Sequence, residues 1–360
     1  MEPYIYLRCL RHAEHTVFNV TDGQKTYFDP IFGKPVAYSS GQQIKRSIIS
    51  ALCDKLNEPY AEITYNYQLT LEKDTDKLNP KEIWGAANPI FADQLIGGYM
   101  RAPKDQSTVK RRSPLSISAM RPLHPLLENN SGENITFDRS DKIEQVQVKV
   151  RDAKGNEIPL DELQKWLKEK NRTLSVRNYL QDLRRTTGLY IYDVAIDLRT
   201  LFCVNIQTAN GFQIEPEISE DMIEELKKQK WSERRNIFGS CLVCPENRRE
   251  KIIPALAHAL VNWKITSNQA RTFSLMETLA IAISDNANQL AGAIRAKLDE
   301  DNPKKAIPLI DETSGADLFI TTACGGYIPT NAGSNTAIDE AEKKLIELLK
   351  KYDYENQLKL

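Results

Sequence analysis

The sequence predicts an α+β protein built on a ferredoxin-like core, in which strands and helices follow the order β-α-β-β-α-β. Two segments, YIYLRCLRH and LYIYDVAIDLRTLFCVNI, alternate residue types with the period of two that is typical of strands. Two others, QQIKRSIISAL and RREKIIPALAHALVNW, repeat apolar residues at the spacing of amphipathic helices. The chain order is strand, helix, a long irregular region, strands, helix and strand, which fits this core with insertions.

The first strand and the first helix are the clearest elements. Ile5, Leu7 and Cys9 share one face of the strand, so we expect that face to be buried. A polar loop rich in turn dipeptides follows it. Ser40 and Gln43 then have the spacing of a capping box, which predicts a helix that begins directly after Ser40.

The middle of the chain is irregular. YAEITYNYQLTL predicts a strand, and from about residue 73 to residue 188 periodicity is weak and prolines are frequent. Within that region QVQVKVRD predicts a hairpin arm that turns at AKGNE, and LDELQKWLKEK predicts a short amphipathic helix. An irregular region this long is unusual in a compact domain and usually carries function.

The rest of the chain supplies the second half of the core. After the alternating segment, SEDMIEELKKQKW predicts a capped helix and IFGSCLVCP predicts a strand. The helix RREKIIPALAHALVNW, a strand in ADLFITTACGG and a closing helix in TAIDEAEKKLIELLKKY follow.

Composition indicates a globular protein with a segregated charge. Of the 360 residues 41% are apolar and 27% charged, and the net charge is −1. The six cysteines, the polar first residues and the lack of a long apolar run predict a cytoplasmic protein with no membrane partner. Between Leu95 and Pro125, however, six basic residues face one acidic residue, which gives +5. Such a stripe predicts a polyanion partner, and the alternative is a solvated basic loop.

The turn SSGQQIKR predicts a phosphate site. A helix N-terminus offers unpaired N–H groups and the positive end of the helix dipole. Gly41 would let a phosphate approach the backbone, and Gln42, Lys45 and Arg46 share one helix face. The alternative is an ordinary capped helix with a solvated basic pair.

A second segment, GGYMRAPKDQSTVKRRSPLSISAMRP, places two glycines before basic and hydroxyl side chains. An extended chain of this kind suits contacts with several consecutive phosphates. The pair Cys241 and Cys244 has zinc-ligand spacing but lacks a second CxxC pair, so we interpret it as two reduced core cysteines. The sequence contains no P-loop, dinucleotide or EF-hand motif, and no cofactor is predicted.

Taken together, these segments resemble the Cas-seven backbone subunit of CRISPR Cascade-type surveillance complexes, in the DevR-like branch of the RAMP superfamily. PVAYSSGQQIKRSIISAL resembles the start of that family after its opening strand. GGYMRA and VKRRSPLSISAMRPL resemble its glycine-then-basic segment. SNQARTFSLMETLAIA resembles its later Asn-Gln-Ala-Arg segment.

The resemblance implies a hand-shaped protein with a modified ferredoxin-like, or RRM-like, palm. The palm would comprise residues 1–57, 189–203 and 239–360, the fingers residues 58–188, and a thumb hairpin residues 204–238. It also implies a non-catalytic subunit that binds a guide RNA (crRNA) and polymerises along it with copies of itself. The guide would be presented to complementary target DNA or RNA, and the cap and large subunits of the complex would be further partners.

By position in the resembling segments, thirteen residues would contact the guide backbone. They are Ser40, Gly41, Gln42, Lys45, Arg46, Arg101, Lys110, Arg111, Arg112, Arg121, Asn268, Gln269 and Arg271.

Two alternatives stay open. RNA-cleaving relatives carry an aspartate in the loop before the helix, and FDPIFGKPVAYSSG resembles the run that precedes the helix glycine in them. Asp22 lies near the position of that aspartate, which makes a metal-dependent, guide-directed endoribonuclease the first alternative. The second is a stand-alone RNA-binding regulatory protein that forms no filament.

Overall fold

The computed structural model describes residues 2–18, 24–72, 75–102, 108–137, 149–172, 178–206, 217–265 and 275–358. The chain divides into two compact units. One comprises Met1–Asn129 and Thr186–Leu360, and the other comprises Asn130–Arg185.

The helices α1 to α8 of the described residues are Gly41–Leu56, Ala92–Gly97, Leu160–Glu169, Leu198–Leu201, Glu220–Lys228, Glu246–Asn262, Ala287–Ala293 and Ala337–Lys351. The strands β1 to β20 are Tyr4–Thr16, Thr26–Asp29, Lys34–Ala37, Ile63–Glu72, Thr75–Gly85, Tyr99–Arg101, Val109–Arg111, Leu115–Ile117, Arg121–Pro122, Glu128–Phe137, Val150–Arg151, Glu157–Ile158, Asn178–Asp197, Cys203–Asn205, Ser232–Asn236, Gly239–Val243, Glu277–Ser284, Ile294–Leu298, Ala306–Ile310 and Asp317–Ile320.

The larger unit is organised around one antiparallel sheet. In this unit the strand order is β13-β1-β17-β20, and β8 and β9 also pair with β13. In chain order β1 is the first core strand, the pair β8–β9 is the second, β13 is the third and β17 is the fourth. Across the sheet these strands lie in the order fourth, first, third and second. This is the arrangement of a ferredoxin-like core, and it confirms the predicted α+β fold class. Residues 115–122 lie in the range predicted as fingers, yet they supply the second core strand.

Both faces of this sheet are covered. Ile5, Leu7 and Cys9 are buried with α1 and α6, which pack against each other on the same face, so the predicted alternation of the first strand is confirmed. On the other face Leu10 packs in a second cluster that includes Leu290 of α7. The core is thus a three-layer arrangement around the sheet.

The helix α1 begins and ends where its sequence dictates. Ile44, Ile48 and Leu52 recur at four-residue spacing and are fully buried. At its end Asn57 takes the left-handed conformation, with φ +53°, and its N–H bonds back to the last turn.

The strand predicted in YAEITYNYQLTL forms as β4, but among the described strands its partner is β5, and this pair lies outside the main sheet. Tyr65, Tyr67 and Leu69 alternate on one face of this pair and are more than half exposed. The sequence signal for a strand is local, whereas the choice of partner is not, so periodicity alone could not place this hairpin.

The smaller unit contains the predicted hairpin and the predicted helix. Strands β11 and β12 pair on either side of a turn in which Asp152 accepts hydrogen bonds from the N–H groups of Lys154 and Asn156. Helix α3 follows directly and buries Leu163.

The range predicted as the thumb contains the helix α5, the strand β15 and the last two residues of β14. Strands β14 and β15 lie on either side of β16 in a three-stranded sheet. No helix in the described part of the chain is long and apolar enough to cross a membrane.

Candidate nucleic-acid interface

The N-terminus of α1 is only partly capped from within the chain. The Ser40 hydroxyl accepts a hydrogen bond from the Gln43 N–H at 3.4 Å, as predicted. The Gln43 side chain does not reach back to Ser40; its amide donates to the Phe18 carbonyl and its oxygen accepts from Ser39. Among the described residues, the N–H groups of Gly41 and Gln42 have no acceptor. Two backbone donors at the positive end of the helix are therefore free to bind an anion.

Gly41 has a different role from the one that the sequence suggested. A β carbon at this position would lie less than 3.0 Å from the carbonyl oxygen of Ile117 and 3.2 Å from the carbonyl carbon of Ser118. The space beside Gly41 is filled by β8 and the residue after it. Glycine is needed because the strand packs directly on the start of the helix, and the Gly41 N–H is what remains available to a ligand.

Between α1 and β8 lies an open cleft of about 450 Å³. It is lined by the residues Ser40, Gly41, Gln42, Lys45, Leu115, Ser116 and Ile117. Lys45 is partly buried in the cleft, and burial lowers the pKa of its ammonium group. No described acidic residue forms an ion pair with Lys45, whereas Gln42 and Arg46 are exposed on the same helix. The cleft thus brings together a cation that has no ion pair within the described ranges and the two helix N–H groups that have no acceptor there.

Half of the cations of the basic stripe, Arg101, Lys110 and Arg111, lie on the strand pair β6–β7, and Arg112 follows directly after it. Lys110 and Arg112 are exposed, and so is Arg101 on the neighbouring strand. Arg111 points inward and is fully buried, with an ion pair from Nη1 to Glu217 at 2.9 Å. Arg111, which the resemblance placed among the RNA contacts, is thus turned away from the exposed side of Lys110 and Arg112, because successive side chains of a strand point to opposite faces.

The glycines before this stripe also have a packing role. Gly98 has φ +75°, and a β carbon there would lie 2.7 Å from both the Arg111 carbonyl oxygen and the Ser113 nitrogen. Gly98 therefore lets the chain leave α2 and pair closely with β7, rather than opening the backbone to a phosphate.

A second cleft, of about 400 Å³, lies on the other side of β8 over the sheet. Ser116 and Ile117 line both clefts, so β8 is the wall between them. In the second cleft Arg8 binds Asp193 through two hydrogen bonds of 2.6 and 3.1 Å, and Arg121 Nη1 lies 3.7 Å from the same carboxylate.

Arg121 is therefore a partly exposed cation that shares its only described acidic partner with Arg8. Arg8 also donates to the Ile294 carbonyl at 3.0 Å, beyond the end of α7. The pairing of Arg8 with Asp193 was not predicted from the sequence. No local pattern could have revealed this pairing, because Asp193 lies 185 residues away.

Four of the predicted site residues lie outside the described residues: Asp22, Asn268, Gln269 and Arg271. The residues that flank them are described. The Phe18 N–H donates to Gln24 Oε1 at 3.1 Å, which joins the two ends of the segment that contains Asp22.

Before the segment that contains the other three, the buried Arg11 donates to the carbonyls of Val261 and Trp263 at 3.1 and 2.9 Å. Its guanidinium carbon also lies 4.3 Å from the centre of the Trp263 ring. Arg11 thus fixes the end of α6 where the chain enters that segment.

The cysteines do not converge on a metal site. Cys241 and Cys244 are both buried, and burial raises the pKa of the Cys244 thiol to about 12, so it remains protonated at neutral pH. Within the described ranges, no group of three His, Cys, Asp or Glu residues could hold a metal ion.

Comparison with known proteins gives a distant likeness of fold. No family model and no curated protein matches the sequence. A solved structure described as "CRISPR RNA-guided surveillance complex, pre-nicking" is 11% identical, with 96% of this chain and 88% of that chain covered and a TM-score of 0.42. Another, described as "CRISPR RNA-guided surveillance complex", is 11% identical, with 96% and 84% covered and a TM-score of 0.36. A likeness of this size says nothing about what the present chain binds.

Proposed function

We propose that this chain is a non-catalytic subunit of a CRISPR surveillance complex that holds a guide RNA by its sugar-phosphate backbone. The observation that carries the binding part of this proposal is Lys45. It is a partly buried cation without an acidic partner among the described residues, beside the free N–H groups of Gly41 and Gln42. A phosphate in that cleft would supply the missing counter-charge and accept both hydrogen bonds.

The chemistry of the cleft favours a backbone ligand over a base. Its donors are a helix terminus, an ammonium group and hydroxyl side chains, all of which bind phosphate oxygens without reading sequence. Arg46, Lys110 and Arg112 are further exposed cations of the same unit. A guide must be held in this way, because its bases have to remain free to pair with a target.

The identity of the RNA and of the other partners rests on the sequence resemblance. Three segments in the family's order, spread over most of the chain, support a guide RNA and head-to-tail polymerisation with further copies of the chain. The cap and large subunits of such a complex and a complementary target DNA or RNA belong to the same proposal. So does the absence of catalysis, since a recruited nuclease cuts the target in DNA-targeting systems of this kind.

The binding part is tested by the salt dependence of RNA affinity. Fluorescence anisotropy would measure the dissociation constant of a labelled, guide-length single strand at several salt concentrations, for two unrelated RNA sequences. We expect similar constants for both sequences and a log–log slope of about −0.7 per neutralised phosphate. Replacing Lys45 and Arg46 by alanine should flatten that slope. The matched control is Lys343→Ala, which removes an exposed lysine of α8 outside both clefts.

Two results would overturn the assignment. An unchanged slope in the Lys45 and Arg46 variant would show that α1 does not contact phosphates. A strong preference for one of the two sequences would show that bases, rather than the backbone, are bound.

A further inference from the structure

Arg111 lies in the middle of the basic stripe, yet its guanidinium forms its hydrogen bonds within the protein. It donates to the carbonyls of Leu95 at 3.3 Å, Thr200 at 2.7 Å and Cys203 at 2.6 Å, and to the Glu217 carboxylate at 2.9 Å. These acceptors belong to α2, α4, β14 and the residues that precede α5. A single side chain therefore joins the strand β7 to four other segments of the unit.

Glu217, the acidic partner of Arg111, also forms hydrogen bonds with Asn205 and Tyr99. Its carboxylate accepts hydrogen bonds from the Asn205 backbone N–H at 2.8 Å and from the Asn205 side-chain amide at 3.4 Å. Its carbonyl oxygen accepts from the Tyr99 hydroxyl at 2.7 Å. Tyr99 is opposite Arg111 in the β6–β7 pair, so both strands of the pair are bound to Glu217.

Because the side chains of β7 alternate between two faces, the buried Arg111 helps to position the exposed cations on either side of it. Lys110 and the residue after β7, Arg112, flank Arg111 in sequence and are exposed. The pair β6–β7 has only three residues in each strand and forms a separate two-stranded sheet, which is marginally stable by itself. The inward contacts of Arg111 and Tyr99, together with the buried Val109, thus anchor the backbone that carries Lys110 and Arg112.

We propose that Arg111 is a positioning residue for nucleic-acid binding. Through Glu217 it fixes the β6–β7 pair so that Lys110 and Arg112 are presented together to consecutive phosphates. Arg111 itself touches no phosphate. This inference rests on the proposed function, and it assigns to Arg111 a role opposite to the one that the sequence resemblance implied.

The experiment separates positioning from direct contact through two properties of the same titration. Loss of a phosphate contact lowers affinity and flattens the salt dependence, whereas loss of positioning lowers affinity at every salt concentration and leaves the slope unchanged. We expect Arg111→Lys to raise the Kd for a single-stranded RNA by about threefold to tenfold, because two side chains must then be ordered on binding. Arg112→Ala is the matched control, and it should flatten the slope by about 0.7.

Glu217→Gln provides a second variant that keeps the size of the side chain and removes its charge. It should reproduce the loss of affinity. Combining it with Arg111→Lys should cause little further loss, because both changes disrupt the same Arg111–Glu217 ion pair. The active fraction of each protein is measured by stoichiometric titration. General destabilisation lowers that fraction but leaves the Kd of the folded molecules unchanged.

A measurement on the free protein keeps this proposal distinct from the proposed function. Hydrogen exchange followed by mass spectrometry should show faster exchange in residues 108–113 and 203–206 together, in Arg111→Lys and in Glu217→Gln but not in Arg112→Ala. If exchange changes in this way but the wild type binds no RNA, the Arg111–Glu217 ion pair does hold the β6–β7 pair, and the proposed function is wrong. If Arg111→Lys leaves both exchange and Kd unchanged, or flattens the slope as Arg112→Ala does, the positioning role is overturned.

Discussion

Gly41 and Ile117 approach so closely that a β carbon on residue 41 would overlap the Ile117 carbonyl oxygen. This contact joins the N-terminus of α1 to β8, and both elements line the cleft that contains Lys45. The geometry of the candidate phosphate site therefore depends on the packing of Gly41 against β8, as well as on the N–H group that Gly41 offers to a ligand.

Gly41→Ala should lower the free energy of unfolding by about 1 to 3 kcal/mol, since the added methyl group must displace backbone rather than a mobile side chain. Urea unfolding followed by tryptophan fluorescence measures this change. Gly292→Ala is the control: it lies in α7 with no atom within 4 Å of the added carbon, and it should stabilise by up to about 1 kcal/mol. Equal stability of Gly41→Ala and the wild type would show that β8 does not pack on the helix in this way.

Lys45→Ala should weaken RNA binding and yet slightly stabilise the free protein, because it removes a partly buried charge that has no counter-ion among the described residues. Burial lowers the pKa of Lys45 below 10.5, so the unfolded chain holds this proton to a higher pH than the folded protein does. The charge is therefore unfavourable for folding below the folded pKa, and the penalty fades as the pH rises toward 10.5.

The measurement for Lys45 is urea unfolding at pH 7 and at pH 10 for the wild type and Lys45→Ala. The gap in stability between the two proteins should be smaller at the higher pH. A wild type that is more stable than the variant at pH 7 would mean that Lys45 has an acidic partner in the folded protein.

Arg11→Met should destabilise the protein by about 2 to 4 kcal/mol, because the buried carbonyls of Val261 and Trp263 would lose their donor. Urea unfolding measures the change, and the emission of Trp263 should shift as its cation contact is removed. An unchanged or higher stability would show that the desolvation penalty of the buried guanidinium is at least as large as the stabilisation from its hydrogen bonds.

The six cysteines should be unreactive in the folded protein. All of them are buried, and burial raises the pKa of Cys53 to about 12 and that of Cys324 to about 11. A hydrogen bond with the Cys203 thiol lowers the pKa of Cys241, so this thiol is protected by its burial alone. Titration with a chromogenic disulfide reagent at pH 8 should detect no fast thiol before denaturation and six thiols after it. One rapidly reacting thiol in the native protein, or fewer than six after denaturation without reductant, would contradict this arrangement.

Sequence reasoning succeeded where the signal is local. The alternation of β1, the capped start and apolar face of α1, and the order of the core elements all follow from periods of two and 3.6 residues, and the structure confirms them. The short strands β8 and β9 have no such signal in two or three residues, so their place in the sheet could not be predicted.

The site was predicted less completely, and Arg111 shows why. A strand over VKRR places Lys110 and Arg112 on one face and Arg111 on the other. This could be predicted only if the stretch had first been assigned as a strand. Its partner Glu217 is 106 residues away, as Asp193 is 185 residues from Arg8. Pairings of this kind arise from the fold and leave no trace in local spacing.

The central claim is tested most directly by the nucleic acid that accompanies the protein. The chain would be co-expressed with the neighbouring genes of its own locus and purified without nuclease. Its 260/280 nm absorbance ratio and particle size would then be measured, and any bound RNA sequenced. We predict short RNAs of one length class with repeat-derived ends, in particles much larger than the 41.0 kDa chain. A monomer free of nucleic acid under these conditions would contradict the proposed function, and one protein per RNA would favour a stand-alone RNA-binding protein.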